Sequence, residues 1–301
     1  MILVVGSVAL DTIKTPFGSV ENILGGSAVH FSVAASIIGK VCIVGVVGED
    51  FSDTYIQYLS KKGIDVEGLK KVPGKTFHWE GYYEYDMNQA HTVKTELNVF
   101  KDFHPEIPER YKSAEYLFLA NIDPDLQLEI LDSVRNPKLI ISDTMNYWIE
   151  NKKDRLIEVI KRTDIMLMND SEARELFNTP NLIKAAKRII TLGPRVVIIK
   201  KGEHGAIMFT QDSFFITPAF PLEEVIDPTG AGDSFAGGFV SYLSRTQKFS
   251  ENNLRKAMVF GTIVASFTVS DFGTRALDSI QYADIKKRYA ELMRYTKFGK
   301  L

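Results

Sequence analysis

The sequence has little cysteine and no long apolar run, and each shortage excludes a class of protein. Cys42 is the single cysteine among 301 residues, so an intramolecular disulfide is excluded and a buried packing role is favoured over a catalytic thiol. Because no run of about 18 apolar residues occurs, we expect no membrane span. The N-terminal residues lack a basic segment and are typical of a strand, so we expect no signal peptide and a cytoplasmic protein.

Neither sign of charge dominates the chain. Lys and Arg together number 36 against 38 Asp and Glu, for a net charge of -2, so we expect no nucleic-acid or membrane partner. The motifs HExxH, CxxC and GxSxG are absent, which removes the common zinc and serine-hydrolase sites. No GxGxxG follows the first strand, which argues against a dinucleotide-dependent oxidoreductase. The segment GLKKVPGKT has one residue too many between Gly68 and Gly74 for a phosphate-binding P-loop, and it continues into a strand.

The chain does contain a regular alternation of apolar runs and helical patterns. The predicted strands are Ile2–Val5, Val41–Val47, Tyr116–Leu119, Leu139–Ser142, Ile165–Met168 and Val196–Lys200. The predicted helices between them are Ala28–Ile38, Ser52–Lys62, Asp125–Val134, Lys153–Lys161, Ser171–Phe177 and Leu182–Thr191. Apolar strands separated by helices indicate an α/β fold with a mostly parallel sheet covered on both faces, in a single domain of residues 1–301. Gly-bounded turns after the last of these strands indicate an added antiparallel pair.

One segment, GKTFHWEGYYEYDMNQAHTV, breaks this alternation. Phe77, Trp79 and Tyr83 project to one side of a predicted half-exposed strand, and a turn is predicted at 86–90. Together with the segment after the first strand, it predicts a small β-sheet lid formed by about 8–22 and 75–100. We expect the aromatic side to pack against the same strand of a second subunit, giving a homodimer through the lid; stacking on a nucleobase or sugar is the alternative.

The segment DPTGAGDSF places glycines where a helix begins. Unpaired N–H groups and the positive end of the helix dipole form an anion site there, and Gly230, Ala231 and Gly232 can aim their amides at one point. Asp233 stands in the first turn and can accept a proton from a nucleophile that attacks a bound phosphate. The simpler interpretation is that Asp233 caps the helix and the glycines form a turn.

Six segments resemble, in the expected order, motifs of the ribokinase-like (PfkB) carbohydrate kinases. They are VVGSVALD, LGGSAVHFSVAASIIGK, VGVVGEDFSDTYIQYLSKKGID, MNDSEARELF, VIIKKGEHGAIMF and DPTGAGDSF. The resemblance covers essentially the whole chain, and the last motif is quite specific. It implies a three-layer α/β/α sandwich with a small β-sheet lid, and an ATP-dependent kinase.

The resemblance also implies the roles of particular residues. The implied catalytic group is Asp233 as base with the anion hole of Gly230, Ala231 and Gly232. The implied substrate-binding residues are Asp11, Gly25, Gly26 and His30. The implied ATP-binding residues are Asn169, Lys201, Gly202, Thr229 and Gly273. Mg²⁺ is expected at Asn169 and, through water, at Glu172, and Asp227 is compatible with a K⁺ site.

Simpler interpretations of three of these residues stay open. Asp11 can be a turn residue at a strand end, Glu172 a charge on a helix surface, and His30 an ordinary helix residue, since the family often has asparagine at that position. Asp233, with an ordinary pKa of about 3.9, is expected to be a weak base that positions the acceptor and takes its proton late.

The expected reaction is phosphorylation of a hydroxymethyl group on a small sugar or polyol. A nucleoside kinase of the same fold is the alternative, favoured by the aromatic lid and by His30. A phosphorylated sugar ranks lower, because the segment from Asp11 to His30 offers Lys14 as its one cation. An alternative of a different class is a nucleotide-binding regulatory protein without turnover.

Overall fold

The computed structural model describes residues 1–299 and contains two β-sheets with ten α-helices. The strands are β1 (Ile2–Val5), β2 (Ala9–Thr15), β3 (Gly18–Gly25), β4 (Val41–Val47), β5 (Asp65–Lys71), β6 (Phe77–Tyr83), β7 (Ala90–Glu96), β8 (Tyr116–Leu119), β9 (Leu139–Ser142), β10 (Ile165–Asn169), β11 (Val196–Lys200), β12 (Ala206–Phe209) and β13 (Phe214–Thr217). The helices are α1 (Ser27–Ser36), α2 (Asp53–Lys61), α3 (Pro124–Ser133), α4 (Asn146–Asn151), α5 (Lys153–Lys161), α6 (Asp170–Leu176), α7 (Leu182–Leu192), α8 (Ala231–Thr246), α9 (Glu251–Thr268) and α10 (Tyr282–Tyr295).

The larger sheet has nine strands in the order β13-β12-β11-β10-β9-β8-β1-β4-β5. Its strands from β11 to β5 pair in parallel, while β11–β12 and β12–β13 pair antiparallel. Side chains on β1 show why the sheet needs helices on both faces, because Ile2 and Val4 pack into one core and Leu3 and Val5 into another. The predicted ribokinase-like α/β/α sandwich is confirmed.

The smaller sheet, called the lid below, consists of β2, β3, β6 and β7 in the order β3-β2-β6-β7. The hairpins β2–β3 and β6–β7 are antiparallel, and the two hairpins join through the parallel pair β2–β6. In β2 alternate side chains are buried, whereas Lys14 between them is exposed. The lid therefore has an inner face toward the body of the chain and an outer face away from it.

Close packing of three helices sets the position of α8 against the sheet. A Cβ added at Gly237 of α8 would stand 2.4 Å from the Phe31 carbonyl oxygen of α1, and one at Gly238 would stand 3.0 Å from the Gly261 Cα of α9. The small residues after Asp233 therefore let α8 lie close to both neighbours. This packing fixes the direction in which the first turn of α8 points.

Two elements were not predicted from the sequence. Strand β5 lies at the sheet edge and carries the lysines Lys70 and Lys71, so it lacks the apolar run of a central strand. Helix α4 has six residues and follows β9 almost directly, which leaves too short a segment for a helical period to be visible. Among residues 1–299, no helix is both long and apolar enough to cross a membrane. That residues 1–301 form one domain stays a prediction.

Candidate active site

Three polar side chains lie at the carboxyl ends of neighbouring parallel strands. Asp143 follows β9, Asn169 ends β10, and Lys200 ends β11, where Asn169 and Lys200 are partners in the β10–β11 ladder. In open α/β sheets this edge is where ligands bind. The first turn of α8 reaches the same edge, because a Cβ added at Gly232 would stand 3.2 Å from the Lys200 Nζ.

The turn of residues 228–232 at the start of α8, called the anion turn below, depends on the left-handed backbone of Gly230. This residue has φ 72° and precedes the first helical residue, Ala231. The Ala231 amide donates to the Pro228 carbonyl at 3.1 Å, so one of the three predicted amides is used by the turn itself. Within residues 1–299 the amides of Gly230 and Gly232 have no acceptor. Two N–H groups are thus available to an anion at the helix start.

Asp233 is half-buried in the first turn of α8, and its surroundings make it a stronger base than expected. Burial first, and then the negative charge of Asp143, raise the pKa of Asp233 to about 7. Asp11 also raises this pKa and Lys200 lowers it, so all of these charges lie within electrostatic reach of Asp233. The expectation of an ordinary pKa of about 3.9 was therefore wrong, because the sequence does not display burial.

Asp11 lies on the inner face of the lid and is 5% exposed. Its carboxylate accepts the Gly26 amide at 3.3 Å, and burial raises its pKa to about 7 against the effect of that amide. A Cβ added at Gly25 would stand 1.8 Å from the Asp11 Oδ2, so the glycine leaves the space that the carboxylate occupies. Asp11, Gly25 and Gly26, predicted from separate motifs, are in contact.

His30 lies on α1 beneath the anion turn and is 2% exposed. Neither ring nitrogen has a hydrogen-bond partner within the described residues. Burial lowers the pKa of the imidazole to about 4, so the ring is neutral at physiological pH. A Cβ added at Gly230 would stand 2.2 Å from the ring, which places His30 directly against the turn. His30 therefore packs against this turn, and its role in substrate binding stays a prediction.

Asn169 and Glu172 form a capping box at the start of α6. The Asn169 side chain accepts the Glu172 amide at 2.8 Å, and the Glu172 carboxylate accepts the Asn169 amide at 2.7 Å. Glu172 is 6% exposed, so it is not the surface charge of the simpler interpretation. Burial and the negative charge of Asp143 raise its pKa to about 8.

The donor set beside Glu172 suits a hard cation that keeps most of its waters. Among residues 1–299, no group of three or more His, Cys, Asp or Glu side chains is arranged to hold a metal ion by itself. Asn169 and Glu172 provide oxygen atoms only, which Mg²⁺ prefers, and both Glu172 oxygens already accept hydrogen bonds from Asn169. These residues fit Mg²⁺ that is bound chiefly by phosphates and water.

Four of the predicted nucleotide residues lie in three loops, which follow β11, precede α8 and follow α9. Lys201 and Gly202 follow β11, and Gly202 has φ 54° at the start of a short turn. Thr229 and Gly273 are held together by Asp227, which is fully buried and accepts the Thr229 amide at 2.9 Å and the Gly273 amide at 3.0 Å. The Asp227 carboxylate thus ties the loop containing Gly273 to the anion turn.

Sequence reasoning missed Lys200 and Asp143. The Lys200 Nζ lies 2.5 Å from the Asp143 Oδ2, and the two side chains are 18% and 4% exposed. The sequence did contain a signal for both residues, since Asp143 directly follows a predicted strand and Lys200 is the last residue of another. The last residue of a parallel strand reaches the edge where ligands bind, and this applies to Lys200; a nucleotide-binding role of the neighbouring Lys201 stays a prediction.

The aromatic row of β6 faces its own chain. The Thr229 hydroxyl donates to the Tyr83 hydroxyl at 3.2 Å, and the Phe77 and Phe100 rings lie 5.5 Å apart. Trp79 is the partner of Asp11 in the parallel β2–β6 pair, so both project from the inner face. This face is therefore turned toward the site, whereas we had expected it to meet a second subunit.

The fold thus combines an α/β/α sandwich with a lid that carries Asp11 and Trp79 on its inner face. The model of the pfkB family of carbohydrate kinases matches residues 1–280. The chain belongs to this family, and it is an ATP-dependent kinase.

Relatives with activities of this class cover most of the chain. It is 32% identical over 256 residues to the cytidine kinase of Thermococcus kodakarensis, across 83% of this chain and 91% of that protein. It is 29% identical over 294 residues to a nucleoside kinase of Methanothermobacter thermautotrophicus, across 91% of each chain. The Burkholderia thailandensis nucleoside kinase in complex with inosine superposes with a TM-score of 0.77 and 20% identity, over 98% of this chain and 99% of that one. This last likeness shows the fold.

Proposed function

We propose that the protein transfers the γ-phosphoryl group of ATP to the hydroxymethyl group of a nucleoside. The observation that carries this choice is the position of Trp79 on the inner face of the lid, beside Asp11. An indole next to a carboxylate suits an acceptor that has a flat base joined to a hydroxylated sugar. The names of the relatives above, cytidine kinase and nucleoside kinase, support the same acceptor.

A free sugar or polyol is the second candidate, and a phosphorylated sugar fits poorly. Lys14 is the one cation in the segment from Asp11 to His30, and it is exposed between buried neighbours of β2. It therefore projects from the outer face and cannot neutralise a phosphate beside Asp11. A free sugar meets no such obstacle, but it leaves Trp79 without a planar partner.

The acceptor is held and activated by two carboxylates. Asp11 accepts hydrogen bonds from sugar hydroxyls, and Asp233 takes the proton of the attacking hydroxyl. The acceptor oxygen forms a bond to the γ-phosphorus, the bond to the bridging oxygen breaks, and its electron pair stays on ADP. With a pKa raised to about 7, Asp233 is a base matched to neutral pH.

The free amides of Gly230 and Gly232 hold the transferring group from the other side. Removing one such donor typically costs about 3–4 kcal/mol of transition-state stabilisation. Asn169 and Glu172 would hold Mg²⁺ through its waters, and the ion would neutralise phosphate charge. Lys201, Gly202, Thr229 and Gly273 line the remaining nucleotide site.

Replacement of Trp79 tests the acceptor class. Stacking of a base on an aromatic side chain contributes about 1–3 kcal/mol, so Trp79→Ala raises KM for the nucleoside by roughly 5- to 150-fold. Trp79→Phe keeps most of the affinity because it keeps an aromatic face. Neither variant changes KM for ribose, which serves as the internal control. Equal losses for ribose and nucleoside in Trp79→Ala would count against a nucleoside acceptor, as would turnover of sugars alone by the parent protein.

Three further properties belong to this proposal. The chain forms a homodimer through the lid, by its outer face. A K⁺ ion would be held near Asp227. The protein is cytoplasmic, and its partners are small molecules.

A further inference from the structure

Lys200 is a half-buried cation in direct reach of the anion turn. Its ammonium pairs with Asp143 at 2.5 Å, and the Lys200 side chain is 18% exposed. A Cβ added at Gly232 would stand 3.2 Å from the Lys200 Nζ and 3.7 Å from both Cε and Cδ of the same side chain. The lysine therefore lies along the same helix start whose Gly232 amide has no acceptor in the described chain.

The pair with Asp143 leaves most of the ammonium unused. An ammonium has three N–H donors, and within residues 1–299 Nζ makes one hydrogen bond, to the Asp143 Oδ2. The other carboxylate oxygen, Oδ1, accepts the Thr144 amide at 2.9 Å. Two donors of Lys200 are thus available to a ligand without breaking the pair.

The surrounding charges keep this lysine protonated and in place. Burial opposes its charge, but the carboxylates around it outweigh burial and raise its pKa; they are Asp143, Glu172 and Asp233. A lysine whose single role was to neutralise Asp143 could be fully buried together with that carboxylate. Lys200 instead borders the cleft at the point where phosphate is expected to arrive.

We propose that Lys200 is a further catalytic residue, whose ammonium donates a hydrogen bond to an oxygen of the transferring phosphoryl group beside the Gly232 amide. The inference rests on the proposed function. Lys200 keeps its protons throughout: the acceptor proton passes to Asp233, and the electron pair of the broken bond passes to ADP. Asp143 orients the ammonium and does not contact the phosphate.

Turnover of Lys200→Met is the primary test. Loss of one charged donor to the transition state lowers kcat by about 10²–10³-fold, while KM for the acceptor changes little, since the acceptor is held by Asp11. The matched control is Lys138→Met. Lys138 directly precedes β9, whereas Asp143 directly follows that strand, so the two lie at opposite ends. Lys138 is paired with Glu115 and is 59% exposed, so its replacement should leave kcat at the parent value.

A double variant separates catalysis from charge neutralisation. If Lys200 only neutralises Asp143, then Lys200→Met/Asp143→Leu, which removes both charges, restores kcat to near the parent value, and this result overturns the proposal. If Lys200 contacts the phosphoryl group, kcat stays low although thermal unfolding shows recovered stability. The double variant also keeps the test valid if the single variant folds poorly because of its unpaired carboxylate.

A binding measurement keeps this test separate from the question of the acceptor. By calorimetry, Lys200→Met/Asp143→Leu binds ADP as the parent does, but binds a non-hydrolysable ATP analogue about 10-fold more weakly, because only the analogue carries a γ-phosphate. An unchanged ratio of the two Kd values overturns the role of Lys200. A parent protein that binds the analogue but phosphorylates no nucleoside refutes the nucleoside proposal, and the Kd ratio then still decides the role of Lys200.

Discussion

A methyl group at Gly230 should disable the anion site by forcing His30 and the turn apart. A Cβ at this position would lie 2.2 Å from the Cγ and Nδ1 of His30, whereas ordinary contact begins at 3.4 Å. More than 1 Å must therefore be relieved. The imidazole cannot retreat, because it is 2% exposed and enclosed on α1. The displacement has to be taken up by the turn that carries the free amides.

The size of the effect follows from this displacement. A misplacement of about 1 Å at a reacting centre costs roughly 10²-fold in rate, so we expect kcat of Gly230→Ala to fall by about that factor or more. A separate cost comes from the backbone, since a left-handed φ of 72° disfavours alanine by about 1–2 kcal/mol. The backbone cost affects stability, and the clash affects turnover.

Gly63→Ala is the control that separates the two contributions. Gly63 has φ 77°, close to that of Gly230, but no atom lies within 4 Å of its added Cβ. Urea unfolding should show a similar backbone penalty in both variants, while nucleoside turnover falls only in Gly230→Ala. Turnover equal in the two variants would refute the reasoning. Adding Gly230→Ala to a His30→Ala background should cost much less than adding it to the parent.

Three more predictions follow from burial and exposure. Because burial raises the pKa of Asp11 and Asp233 to about 7, kcat/KM should rise with pH and level off above about 8; a flat profile from pH 5.5 to 7 would contradict the assigned base. A carboxyl whose pKa is raised in the folded state stabilises the fold below its unfolded-state pKa, and this stabilisation is lost as pH rises through the folded-state pKa. Asp233→Asn removes this dependence, so its free energy of unfolding in urea, relative to the parent, should be about 1–3 kcal/mol higher at pH 8 than at pH 4. Equal differences from the parent at both pH values would refute this. The outer lid face has a groove of about 790 Å³ that includes Tyr82 and Val93, 37% and 59% exposed, so sedimentation should show a dimer that Val93→Glu dissociates; a parent monomer at micromolar concentration would disprove the lid dimer.

The main sheet could be predicted from the sequence because its strands are buried on both faces. Ile2–Val5 and Val41–Val47 are continuous apolar runs, and such runs between helical periods have few other interpretations. The edge strand Asp65–Lys71 lacks that pattern, since one of its sides has no neighbouring strand. Hydrophobic pattern thus predicts the central strands better than the edge.

The glycine-rich motifs predicted one half of the site, and the other half depends on distant contacts. Gly230 was predicted because a helix start that approaches a ligand closely favours glycine, whereas Gly25 was predicted from the family resemblance. The pair of Lys200 with Asp143 joins residues 57 positions apart, and no local pattern reports such a contact. The raised pKa of Asp233 has the same origin, because it comes from burial and from Asp143. Local sequence patterns show where the backbone needs glycine, whereas the electrostatics of the site depend on contacts that form only in the folded chain.

Two side-chain hydrogen bonds join the lid to the body of the chain. Tyr83 joins the lid to Thr229 at 3.2 Å, and at the turn between β6 and β7 the Asn88 side chain donates to the Glu203 carboxylate at 3.1 Å. Each such bond contributes about 0.5–1.5 kcal/mol to the contact between the lid and the body. Burial is the largest cause of the raised pKa of Asp233, so any opening of the site that admitted water would lower that pKa. The raised pKa of Asp233 thus depends on the folded site being closed to water, and not on any property of the residue that its sequence neighbours could show.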